Sequence, residues 1–224
     1  MLLALPAVLK PDQVALALSF LEGAPFVDGK LSAGAAARPV KANEEIDRAA
    51  ADLERLDRLV MESLTRHPLY RSAALALRAA SPIYARYRPG MAYGEHLDDP
   101  IMGSEGMPYR SDVAVTVFLS APQAYEGGEL VVRTSFGEQA VKLPAGDAVL
   151  YPAGSIHRVN PVSRGERLVA VTWVQSAVRD PARRELLHGL NAARETLLRD
   201  APGAEATARV NAAYLNLVRM WSEL

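Results

Sequence analysis

The sequence predicts a mainly β domain of the α+β class, in which a sandwich or jelly-roll core is flanked by helices. A series of short β-branched or aromatic segments, punctuated by Gly and Pro, occupies residues 81–176. No helical pattern separates these segments, which argues against a doubly wound α/β fold. Helical periodicity appears on both sides of them, so we expect helices before and after the core.

The 224-residue chain is predicted to fold as three consecutive regions. Residues 1–80 are predicted to form a helical support region, residues 81–177 the β core, and residues 178–224 a helical extension. Hydrophobic residues make up 50% of the chain and charged residues 23%, a balance that suits a globular protein with a sizeable core.

Two helices are predicted before the core. Met1 to Leu9 form a short apolar stretch, which we interpret as a first strand or buried lead-in, with a signal peptide as the alternative. Pro11 stands where a proline suits the first turn of a helix. Asn43 is typical of an N-cap and predicts a second helix that ends before Pro68. The buried face of that helix is predicted to consist of Ile46, Ala50, Leu53, Leu56, Val60 and Leu64.

The core strands are predicted from runs of β-branched and other apolar residues that are bounded by turn residues. These runs cover residues 113–119, 128–133, 139–143, 147–152 and 168–175. After them, Asp180 and Pro181 are typical of the N-cap and first residue of a helix. Two amphipathic helices are predicted in this extension, and they offer a surface for a homo-oligomer.

The composition excludes several classes of site and partner. The absence of cysteine rules out disulfides, thiolate zinc sites, iron–sulfur clusters and a cysteine nucleophile. A net charge of −1 argues against a general electrostatic grip on nucleic acid or on an anionic membrane. No apolar run reaches the roughly 18 residues of a membrane span, so we expect no membrane partner and a cytoplasmic location.

Any transition-metal site must use the four histidines together with carboxylates. His67 lies where a helix is predicted to end, and we interpret it as a satisfied helix-end histidine. His188 is interpreted as a solvated surface residue of the C-terminal extension. His96 and His157 therefore remain as the candidate ligands.

His96 and Asp98 form the first candidate ligand pair. On an extended segment, residues i and i+2 point to the same face, so an imidazole nitrogen and a carboxylate oxygen can meet at one point. Asp99 points the other way and is the poorer candidate, although a twisted segment would reverse this choice. His157 completes a set of two histidines and one carboxylate. Such a facial triad suits Fe(II) and leaves open positions for a bidentate 2-oxo acid and for O2.

A 2-oxo acid in that position needs a cation for its distant carboxylate, and Arg167 is the candidate. If residues 167–173 form a strand, Arg167 shares a face with Val169, Val171 and Trp173. An arginine at the head of an apolar row is costly unless it meets an anion, and its planar fork suits a carboxylate. The alternative is a solvated arginine at a strand end that pairs with Glu166.

These residues lie in motifs that resemble a known family. Residues 87–98 follow the spacing Tyr-x-x-Gly-x-x-Tyr-x-x-His-x-Asp, which resembles the prolyl 4-hydroxylase branch of the Fe(II)/2-oxoglutarate dioxygenases. More closely, the chain resembles the bacterial PKHD-type hydroxylases, a group associated with iron uptake. The resemblance extends over essentially the whole chain, through residues 27–30, 125–130, 137–151, 157–162, 165–167 and 217–223.

The resemblance implies a double-stranded β-helix core and an enzyme that hydroxylates its substrate while 2-oxoglutarate and O2 give succinate and CO2. It implies Fe(II) on His96, Asp98 and His157, and the C5 carboxylate of 2-oxoglutarate on Arg167. It also implies a hydrogen bond from Tyr87 to the cosubstrate, a role for which Tyr93 competes. Ascorbate is the expected reductant.

Several alternatives stay open at this point. A non-catalytic β-helix protein that binds iron or a small ligand as a sensor is the rival from another class, and a cupin-type metalloenzyme is a second rival. The primary substrate is either peptidyl or a small molecule, for which a siderophore is one option. The loop over residues 100–109, with Met102, Gly103, Ser104, Gly106 and Met107, is either a lid over the substrate or a surface loop.

Overall fold

The computed structural model describes residues 1–49, 51–103 and 106–224. The strands before the predicted core are β1 (Leu3–Leu5), β2 (Phe26–Asp28), β3 (Lys41–Ala42), β4 (Glu44–Ile46) and β5 (Ala76–Ala79). The later strands are β6 (Ile83–Tyr87), β7 (Ala92–His96), β8 (Ile101–Met102), β9 (Tyr109–Arg110), β10 (Val113–Phe118), β11 (Tyr125–Gly127), β12 (Leu130–Thr134), β13 (Gly137–Val141), β14 (Ala148–Pro152), β15 (His157–Val159), β16 (Val162–Gly165) and β17 (Arg167–Ser176). The helices are α1 (Pro11–Leu21), α2 (Glu54–Arg66), α3 (Pro68–Ala74), α4 (Pro181–Asp200) and α5 (Glu205–Trp221), with 3-10 turns at Gly29–Ser32, Arg38–Val40 and Pro122–Ala124.

Two antiparallel sheets face each other and confirm the predicted β core. The larger sheet has eight strands in the order β1-β14-β10-β17-β6-β4-β2, and β5 pairs with the end of β17. The smaller sheet has five strands in the order β13-β12-β15-β7-β3. The strands predicted from the apolar runs correspond to β10, β12, β13, β14 and β17, with ends shifted by at most two residues.

Apolar side chains form two separate clusters on the two faces of the larger sheet. Along β17, Val169 points into the space between the sheets, whereas Ala170 points to the outer face. The inner cluster joins the two sheets around Phe118, Leu130, Val132, Tyr151 and Val159. Because this cluster fills one part of the sandwich, the cavity described below occupies the remaining space between the sheets.

The N-terminal helices cover the outer face of the larger sheet. The helix predicted at Pro11 is confirmed as α1, and the first strand predicted within residues 1–9 is confirmed as β1, which pairs with β14. In α2, Leu56, Val60 and Leu64 are fully buried at helical spacing. Each such side chain contributes about 1.5–3 kcal/mol by leaving water.

The prediction that one helix runs from Asn43 to Pro68 is wrong in its first half. Residues Glu44–Ile46 form β4, which pairs with β2 and β6, and α2 begins only at Glu54. Ile46 is buried by this sheet pairing rather than by a helical face, and Asn43 accepts a backbone hydrogen bond from Gly29. Ala50, also assigned to that face, lies outside the described residues. Long-range pairing thus overrides a local helical pattern.

The segment from Lys41 to Glu45 crosses from one sheet to the other. Lys41 pairs with Tyr93 at the edge of the smaller sheet, and Glu45 pairs with Ala85 in the larger sheet. The crossing closes one side of the space between the sheets. Because residues 1–80 contribute strands to both sheets, the boundaries drawn at residues 80 and 177 stay a prediction.

The C-terminal extension is a pair of helices, α4 and α5, that pack against each other. The predicted N-cap is confirmed, since the Asp180 carboxylate accepts hydrogen bonds from the backbone N–H groups of Ala182 and Arg183. Within the described part of the chain, none of the helices combines the length and the apolar character that a bilayer crossing requires.

Candidate active site

Neighbouring strands of the smaller sheet bring His96, Asp98 and His157 together. His96 is the last residue of β7 and pairs directly with His157, the first residue of β15. Their ring centroids lie 4.2 Å apart, and Asp98 follows two residues after the end of β7. One possible ligand atom from each of the three residues lies within 4.8 Å of the other two. These distances suit three ligands of one metal ion.

Backbone hydrogen bonds fix which ring nitrogens are free. The Nδ1 atom of His96 lies 2.8 Å from the carbonyl oxygen of Gly94, and Nδ1 of His157 lies 3.0 Å from that of Ser155. A carbonyl oxygen only accepts, so each Nδ1 must carry the proton and donate. Each Nε2 therefore keeps its lone pair for a metal ion, as in most histidine metal sites.

Burial shifts the pKa values of His96 and Asp98. Burial, followed by the neighbouring His157, lowers the pKa of His96 to about 4, so its imidazole is neutral near pH 7. Burial also raises the pKa of Asp98, and none of the described residues forms a hydrogen bond with its buried Oδ2. A buried carboxylate beside two imidazoles that can coordinate through Nε2 suits a divalent cation, which would supply its counter-charge. The donor set therefore fits a bound metal ion.

Asp99 does not join this group. Its side chain rests against the backbone of Gly34, where a Cβ atom would lie 2.4 Å from Asp99 Oδ2. This arrangement agrees with the i and i+2 reasoning that selected Asp98 over Asp99.

Arg167 lies at the closed end of the same cavity and is only 1% exposed. It begins β17 opposite Tyr87 of β6, and no described residue accepts a hydrogen bond from its Nε atom. The alternative of a solvated arginine paired with Glu166 is wrong, because Glu166 pairs with Arg88 at 3.1 Å instead. Among the described residues, Arg167 has no carboxylate within ion-pair distance. Because an unpaired buried charge is costly, its guanidinium suits an anionic ligand.

Glycines hold the backbone close to Arg167. Gly165 has φ +76°, and a Cβ there would lie 2.0 Å from the carbonyl oxygen of Ala124. Gly128 has φ +67°, and a Cβ there would lie 3.1 Å from Cδ of Arg167. A larger residue at either position would combine left-handed strain with a steric conflict.

The two tyrosines that compete for the cosubstrate role lie in different places. Tyr87 is 4% exposed, and its ring centroid lies 5.0 Å from the guanidinium carbon of Arg167. Burial raises the pKa of Tyr87 to about 12, so its hydroxyl stays protonated and can donate a hydrogen bond. Tyr93 instead stacks on the His96 ring with a centroid separation of 3.6 Å. Of these two tyrosines, Tyr87 is therefore the one beside Arg167.

The predicted site residues share one cavity of about 430 Å³. The three candidate metal ligands, Arg167 and Tyr87 all line it. This volume suits a small organic molecule together with part of a second one.

Comparisons with known proteins agree with this geometry. Residues 82–175 match the family model described as the 2OG-Fe(II) oxygenase superfamily. A PKHD-type hydroxylase of Thioalkalivibrio sulfidiphilus is 54% identical over 224 residues, and the match covers 100% of both chains. The chain belongs to the PKHD-type hydroxylases. A second PKHD-type hydroxylase, from Stenotrophomonas maltophilia, is 41% identical over 225 residues, again covering 100% of both chains.

Solved structures agree on the fold. A Pseudomonas putida prolyl-4-hydroxylase is 22% identical with a TM-score of 0.52, covering 78% of this chain and 92% of the other. A prolyl hydroxylase from Trichoplax adhaerens is 16% identical with a TM-score of 0.55, covering 83% and 86%. The predicted jelly-roll core is thereby confirmed. The family model and the PKHD-type relatives confirm the enzyme class, an Fe(II)- and 2-oxoglutarate-dependent hydroxylase.

Four residues in or beside the hydroxylase cavity were not predicted as site residues. Trp173 faces Asp98 with its indole N–H, which opposes the rise in the Asp98 pKa without completing a hydrogen bond of good geometry. Tyr125 lies beside Arg167, and its buried hydroxyl also has no hydrogen-bond partner in the described part of the chain. Lys41 and Glu45 form a buried ion pair in the cavity wall. Only Trp173 carried a usable signal, because it shares the inward face of β17 with Arg167.

The other two histidines lie outside the hydroxylase cavity. His67 lies between α2 and α3 with Nε2 3.0 Å from the carbonyl oxygen of Pro6, which confirms its place at a helix end. It is not fully satisfied there, because its buried Nδ1 has no hydrogen-bond partner among the described residues. The interpretation of His188 as a solvated surface residue is wrong. It is half-buried, and its Nδ1 lies 2.9 Å from the hydroxyl of Ser72, because α4 packs on α3.

The loop after Asp99 contributes part of the cavity mouth. Strands β8 and β9 pair there, and Ile101, Met102, Gly103 and Tyr109 line the cavity. Ser104, which belongs to the predicted loop, lies outside the described residues. The loop therefore forms part of the cavity wall and not only of the outer surface.

Proposed function

We propose that this hydroxylase converts a C–H bond of its primary substrate to an alcohol, with succinate and CO2 released from 2-oxoglutarate. In this proposal His96, Asp98 and His157 hold Fe(II). Arg167 binds the C5 carboxylate of 2-oxoglutarate, and the Tyr87 hydroxyl donates a hydrogen bond to the same cosubstrate. The reaction runs in the cytoplasm, and ascorbate keeps the metal in its reduced state.

One observation carries the proposal: a carboxylate and two imidazoles converge without a counter-charge in the cavity that also buries an unpaired guanidinium. Within the described part of the chain, Asp98 and Arg167 carry opposite charges but do not pair with each other, and Asp98 Oδ2 and Arg167 Nε have no hydrogen-bond partner. Uncompensated buried charges are costly, so each indicates a ligand. A divalent cation and a dicarboxylate satisfy both.

The protein's own residues orient the metal ligands and the cosubstrate, hold the Nδ1 protons of the two imidazoles, and exclude water. When bound, Fe(II) and 2-oxoglutarate supply the reduction of O2 and the oxidising equivalent for the C–H bond. The carbonyl groups of Gly94 and Ser155 orient the two imidazoles through their Nδ1 protons. Arg167 and Tyr87 orient the cosubstrate, and the apolar cluster behind them keeps bulk water away.

A non-catalytic iron sensor with the same fold needs no partner for Arg167, so the buried guanidinium favours the enzyme. The primary substrate in this proposal is a small molecule or a peptide side chain. The resemblance to an iron-uptake group makes a siderophore one compound to include in a substrate screen.

The test is oxygen and 2-oxoglutarate consumption by the purified protein. We expect consumption only when Fe(II) is added, release of succinate in equal amount, and loss of both in His96→Ala. Robust turnover by His96→Ala would overturn the ligand assignment. A screen that measures succinate release above the substrate-free background identifies the primary substrate.

A further inference from the structure

Tyr93 has no role in the proposed chemistry, although its ring contacts a candidate metal ligand. The centroids of the Tyr93 and His96 rings lie 3.6 Å apart, and the two ring planes are 13° from parallel, so the rings are stacked. The His157 ring also contacts His96, with a centroid separation of 4.2 Å, but it is tilted by 52°. The imidazole of His96 is therefore held between a second metal ligand and a tyrosine that the reaction does not use.

A β-bulge in β7 brings Tyr93 and His96 to the same face. In a regular strand, residues three apart point to opposite faces, so these two rings would not stack. His157 pairs with His96, but Val159, two residues later in β15, pairs with Tyr93, three residues earlier in β7. Strand β7 thus holds one extra residue between the two rings. Bulges of this kind occur next to active sites, where they change the direction of a side chain.

Gly94 lies within this bulge and allows a close approach of the neighbouring backbone. A Cβ atom at Gly94 would lie 2.8 Å from Cβ of Val40, which ends the 3-10 turn before β3. The turn and the strand can therefore make this contact because residue 94 is glycine. The carbonyl oxygen of Gly94 accepts the Nδ1 proton of His96 at 2.8 Å. The bulge thus provides both the ring contact and the hydrogen bond that orient His96.

Lys41 holds the Tyr93 ring from the neighbouring strand. The two residues are direct cross-strand partners in β3 and β7, and Lys41 Nζ lies 5.2 Å from the Tyr93 ring centroid, within cation–π range. The ammonium group is itself fixed, because it donates to Ser32 Oγ at 2.8 Å and to Glu45 Oε1. Lys41 is 6% exposed and Glu45 is 7% exposed. This buried ion pair therefore places an immobile cation over Tyr93.

We propose that Tyr93 is a positioning residue that fixes the His96 imidazole for metal binding, and that the buried Lys41–Glu45 pair holds Tyr93 in place. The inference rests on the proposed function, which assigns His96 to the metal. A side chain that can rotate freely must lose this freedom when it binds a ligand. A stacked ring removes the freedom of His96 in advance, so the contribution of Tyr93 appears in the metal affinity.

Calorimetric titration of Ni(II) into the metal-free protein tests the stack. We expect Tyr93→Leu to lower Ni(II) affinity about tenfold, at the lower end of the range for residues that support metal ligands. Tyr93→Phe keeps the ring and should bind Ni(II) like the natural protein. Tyr214→Leu is the matched control, since Tyr214 also lies beside a cation but belongs to α5, outside the cavity lining. Unchanged affinity in folded Tyr93→Leu, or an equal loss in Tyr93→Phe, would overturn the proposal.

Proton NMR of the Co(II)-loaded protein distinguishes positioning of His96 from a general loosening of the site. The Nδ1 protons of metal-bound imidazoles give exchangeable, hyperfine-shifted signals, and we expect two of them, from His96 and His157. In Tyr93→Leu, one signal should exchange with solvent about tenfold faster, while the other keeps its rate. Equal acceleration of both signals, or of neither, would reject a specific role at His96.

A double-mutant cycle tests the part assigned to the ion pair. Lys41→Met/Glu45→Gln removes both charges together, so neither is left buried without its partner. We expect this change to lower Ni(II) affinity about two- to fivefold in the natural background and to have no further effect in Tyr93→Leu, where the ring is missing. An equal loss in both backgrounds would show that the ion pair does not act through Tyr93.

Activity separates this inference from the proposed function. Consumption of 2-oxoglutarate by the natural protein, together with unchanged Ni(II) affinity in Tyr93→Leu, rejects the inference alone. The expected loss of Ni(II) affinity in Tyr93→Leu, without any 2-oxoglutarate consumption by the natural protein, rejects the proposed reaction alone.

Discussion

The Nε2 atom of His157 lies 3.8 Å from Oδ1 of Asp98, and both side chains are almost fully buried. The separation is too long for a hydrogen bond. It is short enough for one ion to contact both atoms through bonds of about 2.0–2.2 Å. The two side chains are therefore spaced to coordinate one shared metal ion rather than to form a hydrogen bond with each other. This spacing has consequences for stability.

Asp98→Asn should stabilise the metal-free protein and abolish its response to metal. The buried Asp98 carboxylate lacks a satisfying partner, so its removal should raise the free energy of unfolding by about 1–3 kcal/mol. Urea denaturation with and without Ni(II) measures both effects, because a ligand that binds only the folded state raises stability. Asp99→Asn is the matched control and should keep the Ni(II) response. A stabilising Ni(II) response in Asp98→Asn would contradict the ligand assignment.

Arg167→Lys should weaken 2-oxoglutarate binding while leaving metal binding intact. Lysine keeps the charge but lacks the planar fork that suits a carboxylate, so we expect the KM for 2-oxoglutarate to rise about 10- to 100-fold. Titration of 2-oxoglutarate into the Ni(II) form, followed by calorimetry, checks the affinity directly. Arg164→Lys, on an exposed arginine three residues earlier, is the control. An unchanged KM in Arg167→Lys would mean that another residue binds the distant carboxylate of 2-oxoglutarate.

Part of this site could be predicted because it depends on local geometry. His96 and Asp98 lie two residues apart at the end of an extended strand, so alternation alone places them on one face. The same rule places Arg167 and Trp173 on the inner face of β17. In each case the relevant distance along the chain is short and a regular strand fixes the direction of the side chain.

The remaining part depends on contacts between segments far apart in sequence. Lys41 and Glu45 enter the cavity only because β3 pairs with β7 and β4 pairs with β6. The pattern around Ile46 resembles a helical face, since a buried edge-strand residue and a buried helix residue are both apolar. No local periodicity distinguishes these two cases. The part of the cavity wall that Lys41 and Glu45 form therefore could not be derived from the sequence.

Gly165→Ala should destabilise the protein strongly, whereas Gly189→Ala should not. At Gly165 the backbone has φ +76° and a Cβ would lie 2.0 Å from a carbonyl oxygen, so we expect a loss of about 2–4 kcal/mol. Gly189 lies within α4 with nothing within 4 Å of the added atom, so alanine should stabilise by about 0.5–1 kcal/mol. Thermal and urea denaturation of both variants checks the contrast. Similar stabilities for the two would show that β16 adapts to a side chain at this turn.

Trp173→Phe should weaken metal binding without unfolding the cavity. The indole N–H faces Asp98 and opposes the rise in its pKa, so its loss leaves the carboxylate a poorer metal ligand. We expect about a tenfold loss in Ni(II) affinity, at the lower end of the range for residues that support metal ligands. Calorimetric titration of Ni(II) measures this change.

Tryptophan fluorescence measures Ni(II) binding independently of calorimetry. The chain has two tryptophans, and Trp221 lies in α5, outside the cavity lining. Ni(II) should quench emission of the natural protein and of Trp221→Phe, in which Trp173 is the only remaining indole. The quenching should disappear in Trp173→Phe, because the surviving indole is distant from the site. Equal quenching in both variants, or equal Ni(II) affinity, would mean that Trp173 is a packing residue that does not act on Asp98.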